Sequence, residues 1–316
     1  MSCAATAFEL VVRFHALRDA LATHQALWRP APFHTPHPDW CATYPELTDA
    51  LLTLPEACVD ALASDNTALL DFLADHLPGL HALKPLLEVP EVTPPDVSPA
   101  ATPRLLAQVP GRKVAQISAF ADAVGAPVAP VLEWCAGKGH LGRLLAWRHG
   151  GKVLSLEIEP TLVAEGEALA ARSGVSQAFT CADALAPPAG EHIPGRHAVA
   201  LHACGDLHLT LIRAAAARSA PAVDVAPCCY YRIAAPRYVP LNADAGLDLS
   251  RDELHLAVTE CVTAGARDRR KAMQAQAWKL AFLEWRVAQG IRREKPFAST
   301  PDAWLGLGFA GWLERL

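Results

Sequence analysis

Apolar positions in the first hundred residues recur at helical spacing. Leu10, Phe14, Leu17 and Leu21 share one face of a predicted helix, because side chains three or four residues apart lie one above the other. The stretch RPAPFHTPHP then stops that helix, since proline has no amide hydrogen to donate. Residues 45 to 83 carry two or three further short helical patterns, and a second proline-rich run over roughly 84 to 103 reads as a linker. Beyond it, short apolar runs alternate with amphipathic segments. GRKVAQISAFADAV sets Val114, Ile117 and Val124 along one side of a helix. The strand PVLEWCA, the helix HLGRLLAWRHG, the strand KVLSLEI and the helix PTLVAEGEALAARSG follow, the last with proline at its start and glycine at its end. QAFTCAD, HAVALHACG and AVDVAPCC supply strands three to five. Strands alternating with helices, joined by right-handed crossovers, predict an α/β, Rossmann-like doubly wound, mostly parallel sheet. The expected organisation is a helical N-terminal extension with its linker over 1–103 and a sheet domain over 104–316.

Composition narrows the class. With 316 residues, 52% of them hydrophobic, the chain can bury a sizeable core. No uncharged apolar run of eighteen residues appears, and the opening MSCAATAFELVVRFH places an acid and a base where a signal peptide keeps an unbroken apolar core. A cytoplasmic protein without a membrane segment is expected. Nine scattered cysteines suit a reducing compartment better than a disulfide framework. Charge is uneven: residues 1–108 hold 5 basic and 13 acidic side chains, whereas 265–295 hold nine basic and three acidic. The basic segment could follow a polyanion, although a solvated helix face is the commoner origin of such a run. The acidic N-terminal part would cover the sheet or meet a protein partner.

Ligands of a doubly wound sheet bind beyond the carboxyl ends of the strands. At the end of the first strand stands EWCAGKGHLG, with Glu133, Gly137 and Gly139 in the pattern acid-x-x-x-Gly-x-Gly. Glu157 ends the second strand about twenty residues on, where a carboxylate can accept both hydroxyls of a ribose. Asp183, followed by Ala184, closes the third. A dinucleotide turn needs G-x-G-x-x-G to admit a pyrophosphate, whereas this turn has Cys135 first, then Ala136, and keeps Glu133 on the strand, which would repel a diphosphate. Glu133 would suit the ammonium of S-adenosylmethionine, with Glu157 on its ribose and Asp183 near its adenine amino group.

Residues 109 to 231 resemble the class I S-adenosylmethionine-dependent methyltransferases. Within them the chain is similar to the subgroup containing the methyltransferase-like domain of the glutathione S-transferase C-terminal-domain-containing protein and its bacterial relatives. The stretches that carry the likeness are GRKVAQISAF, EWCAGKGHLG, LHACGD and APCCYY. The resemblance implies a cofactor site at Glu133, Cys135, Ala136, Gly137, Gly139, Glu157, Asp183 and Ala184, with His202 at the mouth of strand four. A more distant likeness to eukaryotic tRNA ribose methyltransferases makes RNA, tRNA or rRNA, the expected acceptor. A protein or small-molecule acceptor, or a non-catalytic module that keeps the cofactor pocket, are the rival readings. In several relatives a Thr-Asp pair follows the Cys-Gly of strand four; here Asp206 follows Gly205 directly and Leu209 stands where the later acid would be. The fold usually ends in an antiparallel strand pair, for which STPDAWLGLGFAGWLERL is short and glycine-rich.

The adjacent Cys228 and Cys229 leave four readings open. They could pack as small apolar residues, act on or contact substrate, ligate zinc together with His202 and Cys204, or form a strained disulfide between neighbours. Packing is the first expectation and no metal is expected, because adjacent cysteines on a strand point to opposite faces unless the strand has ended. If the acceptor were C5 of a pyrimidine, one of the pair would serve as nucleophile. For an oxygen or nitrogen acceptor, positioning and removal of one proton by Asp206, His202 or Tyr230 would suffice. Asp206, Cys228, Cys229 and Tyr230 are therefore the catalytic candidates. Lys138 and His140, in the glycine turn, could face cofactor or substrate. Downstream, SRDE (250–253) reads as a capping box opening a helix, and Trp278, Phe282 and Trp285 recur on the basic segment at the spacing of a core stripe.

Overall fold

The computed structural model describes residues 7–30, 35, 37–77, 79–89, 105–106, 108–257, 266–291 and 300–316. Two compact units divide the chain. One comprises Met1–Glu88, Asp244–Leu247 and Thr259–Leu316; the other comprises Val89–Ala243 and Asp248–Val258. The C-terminal segment, expected as part of the sheet domain, thus groups with the N-terminal helices.

The second unit holds a five-stranded, all-parallel sheet: β1 (Val131–Trp134), β2 (Val153–Glu157), β3 (Gln177–Cys181), β4 (His197–Leu201) and β5 (Ala222–Ala226), in the order β3-β2-β1-β4-β5. This is the Rossmann-like sheet of the class I methyltransferase fold, and helical segments precede it. Alternate residues of the central strands enter two different cores, as the period of two in a strand requires. Leu132 and Trp134 of β1 join Ala198 and Ala200 of β4 and Leu211 and Ala215 of the helix Asp206–Ala217. On the other face Val131 and Val199 meet Leu141, Leu144 and Leu145 of the helix His140–His149 and Ile117 and Ala121 of the helix Gly111–Val124. After β1 the chain winds to β2 and β3 and then crosses back to β4. Strand order reverses between β1 and β4, the place where such sheets bind ligands.

The antiparallel pair with which this fold usually ends does not form among the described residues. STPDAWLGLGFAGWLERL instead supplies a 3-10 turn, Asp302–Leu307, and a short helix, Gly308–Leu313. Its Phe309 and Trp312 take Trp278 of the helix Ala266–Ala288 against them, with Phe282 on Trp312. The expected core stripe holds for those two aromatics, but Trp285 is 53% exposed and its place on the inner face goes to Arg286, 4% exposed and over the Phe282 ring. The capping box is present: Ser250 donates its amide to Glu253 Oε2 (2.7 Å) and accepts the Glu253 amide on its hydroxyl (3.2 Å), opening a 3-10 helix, Glu253–Ala257. No helix among the described residues is long and apolar enough to cross a membrane. In the first unit Leu47, Leu77 and Leu80 form the buried centre of the N-terminal helices.

One loop fixes the rim of the sheet. Gly205 has φ of 60°, and a Cβ there would fall on the carbonyl of Arg232. The Asp206 amide donates to that carbonyl (3.2 Å), and Asp206 Oδ2 accepts the Ala234 amide (2.7 Å). The loop after β5 is thereby stapled to the start of the helix after β4. Gly205→Ala must both strain φ and push this loop away, so it should destabilise the sheet unit by about 2–4 kcal/mol. Gly150→Ala also takes a positive φ, 66°, but meets nothing within 4 Å and should cost about 1–2 kcal/mol. Thermal and denaturant unfolding of both variants checks the order; equal losses would show that the loop contact contributes nothing.

Candidate functional site

An open cleft of about 640 Å³, its mouth included, lies at the β1/β4 switch point. Its walls come from the ends of those strands, from the glycine turn and from the helix Gly111–Val124, which contributes Lys113, Gln116 and Ile117. Of the expected cofactor residues, Glu133, Cys135, Ala136, Gly137 and His202 line it. Gly139, Glu157, Asp183 and Ala184 are not on its wall. Ala184 is buried in the core, and Asp183 Oδ1 accepts the Leu185 amide (2.9 Å) in the turn after β3.

Two of the four described non-glycine residues with positive φ stand at the cleft. Cys135 and His202, which follow β1 and β4, hold φ of 56° and 64° although neither is glycine, and Gly137 and Gly139 continue the left-handed path. Such conformations persist only where surrounding bonds dictate them. Here the ladder continues one step beyond the strands, with the Ala136 amide on Leu156 O (2.9 Å) and the His202 amide on Ala226 O (3.0 Å). Glu157 does the rest: Oε2 accepts the Gly137 amide (2.8 Å), and Oε1 accepts the amides of Ile158 (2.9 Å) and Glu159 (3.0 Å). The acid expected to hold a ribose also braces the turn.

Glu133 is 3% exposed. Its Oε2 accepts from Ser155 Oγ (2.6 Å) and from Gln177 Nε2 (3.4 Å), while Gln177 also donates to Ser155 Oγ (2.8 Å) and to Gly139 O (3.0 Å). Burial raises its pKa from the ordinary 4.5 to about 7, against the opposing pull of Ser155, the Gly142 and Leu141 amides and Arg143. The carboxyl therefore serves the strands as well as the cleft.

His140, the first residue of its helix, is on the cleft wall. Arg143, itself buried, donates to His140 Nδ1 (2.7 Å) and also to Leu105 O (3.2 Å) and Lys138 O (3.3 Å). Arginine cannot accept, so Nδ1 is the lone-pair nitrogen and Nε2 carries the hydrogen. Burial, then Arg143, Lys113 and Lys138, depress the ring pKa to about 4, which leaves a neutral donor on the wall. Lys138 pairs instead with Glu165. His202 Nε2 lies 3.2 Å from Gln116 Oε1.

The cysteines gather beside this cleft. Cys204 Sγ lies 3.1 Å from Cys228 Sγ, Cys228 Sγ lies 3.5 Å from Cys229 Sγ, and the amides of Cys228 and Cys229 both donate to Cys204 Sγ at 3.3 Å. Burial would raise the Cys204 pKa, but these donors outweigh it and hold it below the ordinary value. Cys228 is pushed up to about 12, by burial first and then by the two neighbouring sulfurs. Cys135 rises to about 12 through burial and the charges of Glu157 and Asp183. Among the catalytic candidates, Cys228 is thus a poor thiolate, and Asp206 spends one oxygen on the Ala234 amide. Tyr230 is 37% exposed, with its ring edge-on to His208 (5.7 Å). Tyr231 stacks on His255 at 3.7 Å. Lys113 and Gln116 escaped the sequence reading of the site. Their signal was the three-residue spacing that sets them beside Ile117 on one helix face.

A titration tests the Glu133 environment. The folded chain keeps this proton up to about pH 7, the unfolded chain only to about 4.5, so native Glu133 binds more protons in between and its contribution to stability falls as pH rises. Glu133→Gln removes that dependence. Its melting temperature relative to the wild type should climb from pH 4.5 to 7 and level off above; a flat difference across this window would contradict the assignment.

A family model described as a methyltransferase domain matches residues 112–236. A comparison with curated proteins found no match. The matched span runs from the helix before β1 to the loop after β5, so the part of the chain that builds the sheet, the cleft and the thiol cluster is the part similar to a methyltransferase domain.

Proposed function

We propose that the chain is an S-adenosylmethionine-dependent methyltransferase whose donor site is the β1/β4 cleft and whose acceptor is RNA. The observation that carries the donor assignment is the strained turn Cys135–Gly139, opening onto the switch-point cleft with the Glu157 carboxylate fastened beneath it. The residues fit such a ligand. A Cβ at Gly137 would meet nothing within 4 Å, so the turn leaves clear space on that side. The wall offers a neutral imidazole N–H at His140 and the Lys113 ammonium as donors, and the Glu157 carboxylate beside the turn is an acceptor suited to hydroxyls. When bound, the cofactor supplies an electrophilic methyl group. The protein's part is to hold both partners in line, since alignment alone supplies much of the acceleration in such transfers. His202 and Gln116, hydrogen-bonded to one another across the cleft wall, are the groups we assign to positioning the acceptor.

The RNA assignment is supported by the basic segment 265–295. Arg267 and Arg270 on the first turns of the helix Ala266–Ala288 are exposed, as electrostatic contact with phosphates requires. It is supported also by the likeness of LHACGD and APCCYY to the His-x-Cys-Gly and Cys-Cys segments of eukaryotic tRNA ribose methyltransferases.

Calorimetric titration should show S-adenosylmethionine binding at one site, weakened by about tenfold or more in Glu157→Ala, the scale of losing hydrogen bonds to a charged group. Pure, folded protein that binds no cofactor would overturn the donor assignment. For the acceptor, tritiated methyl transfer to RNA from a strain lacking this protein should exceed transfer to RNA from the parent strain. Equal labelling of the two would remove RNA, and preferential labelling of the protein or small-molecule fraction would name the rival acceptor class.

A further inference from the structure

The thiol cluster asks for a function of its own. Packing accounts for Cys204, which is buried, but Cys228 is exposed and Cys229 half-buried, so three apolar fillers do not describe them. A disulfide between the two neighbours leaves the closest pair, Cys204 and Cys228, unexplained. The objection to joint ligation by adjacent cysteines also lapses. β5 ends at Ala226, and the pair stands on irregular backbone beyond it, where successive side chains need not diverge. All three sulfurs lie within 4.8 Å of one another.

We propose that Cys204, Cys228 and Cys229 form a three-thiolate zinc site. Zinc–thiolate bonds of about 2.3 Å place tetrahedral sulfurs about 3.8 Å apart. The observed separations of 3.1 and 3.5 Å reach that geometry by shifts of less than about 1 Å, within the range of side-chain rotation. The supports that a metal thiolate needs are already present, because the amides of Cys228 and Cys229 point at Cys204 Sγ (both 3.3 Å); outer hydrogen bonds of this kind orient ligands and tune the metal. The backbone that presents the sulfurs is fixed on both sides by Gly205 and by the two Asp206 bonds to the loop 232–234. His202 does not belong to the cluster and faces Gln116 in the cleft. Three protein ligands leave the fourth position to a water or an exogenous ligand, entering from the exposed side of Cys228. Three protein ligands with one open position is the arrangement of catalytic rather than structural zinc. Loading is a simple exchange: each thiol that binds gives its proton to solvent, and the zinc ion takes the vacated sulfur lone pair. The proposal does not depend on the methyltransferase reading, and its test uses no methyl donor.

The full-length chain, purified under reducing conditions, should take up one zinc per molecule by elemental analysis. After chelator treatment, titration with Co²⁺ should raise thiolate-to-cobalt charge-transfer bands and tetrahedral d–d bands that saturate at one equivalent. Cys228→Ser and Cys229→Ser should each weaken Co²⁺ binding by about tenfold or more, with circular dichroism verifying the fold. Cys58→Ser, an exposed cysteine in the helical unit, should leave the titration unchanged. Two results would overturn the site: reduced protein that gains neither zinc nor charge-transfer bands, or bands that persist unaltered in both serine variants.

Discussion

A carboxyl group buried in the middle of a sheet must be compensated from every side, and the architecture around Glu133 follows from that need. Ser155 of β2 donates to it, Gln177 of β3 holds Ser155 and reaches it too, and the start of the helix after β1 faces it with the Leu141 and Gly142 amides. Arg143, one turn along that helix, adds a buried positive charge. Three strands and a helix are thus registered against one side chain. The network also determines how closely the helix may approach: a Cβ at residue 142 would fall on Glu133 Oε2. Breaking a network of this kind costs more than its separate bonds suggest, because each member left behind is a buried polar group without a partner.

Holding the helix so near the end of β1 leaves the chain only a few residues in which to turn, and it does so through left-handed backbone at Cys135, Gly137 and Gly139. Glu157 stabilises that path by accepting the Gly137 amide. The strained turn is therefore a consequence of the buried network, and the cleft is a consequence of the turn together with the strand reversal at β4. On the far side of β4 the same economy recurs. Gly205 and Asp206 bind the loop after β5 to a helix start, and that staple brings Cys204 to the cysteine pair. The cleft and the thiol cluster both stand where strand ends pass into left-handed backbone, at Cys135 and at His202 and Gly205.

Much of this is legible in the amino-acid sequence. Apolar runs gave the five strands in order, and glycines with acids at strand ends marked the rim on which the cleft opens. What periodicity could not supply was any group whose role depends on a partner far along the chain. That Glu133 also anchors the sheet is not legible locally, because nothing near it in the chain shows that Ser155 and Gln177 will converge on it. The expected adjacency of strands four and five already sets Cys204, 24 residues from Cys228, beside the pair, but does not show that the amides of Cys228 and Cys229 both turn onto its sulfur. The C-terminal segment, short and glycine-rich for a strand pair, left its packing open for a related reason. Its Trp312 is buried among aromatics of the preceding helix, and tertiary packing of that kind, which local propensity does not show, decides its structure.

The proposed donor site is the cleft at the strand reversal. Hydrogen–deuterium exchange of the full chain with and without S-adenosylmethionine addresses it by location. Cofactor bound in this cleft slows exchange in residues 134–143 and 201–206 and leaves the distal ends of the strands unchanged. Cofactor-dependent protection confined to other segments, with the glycine turn exchanging as before, would contradict it.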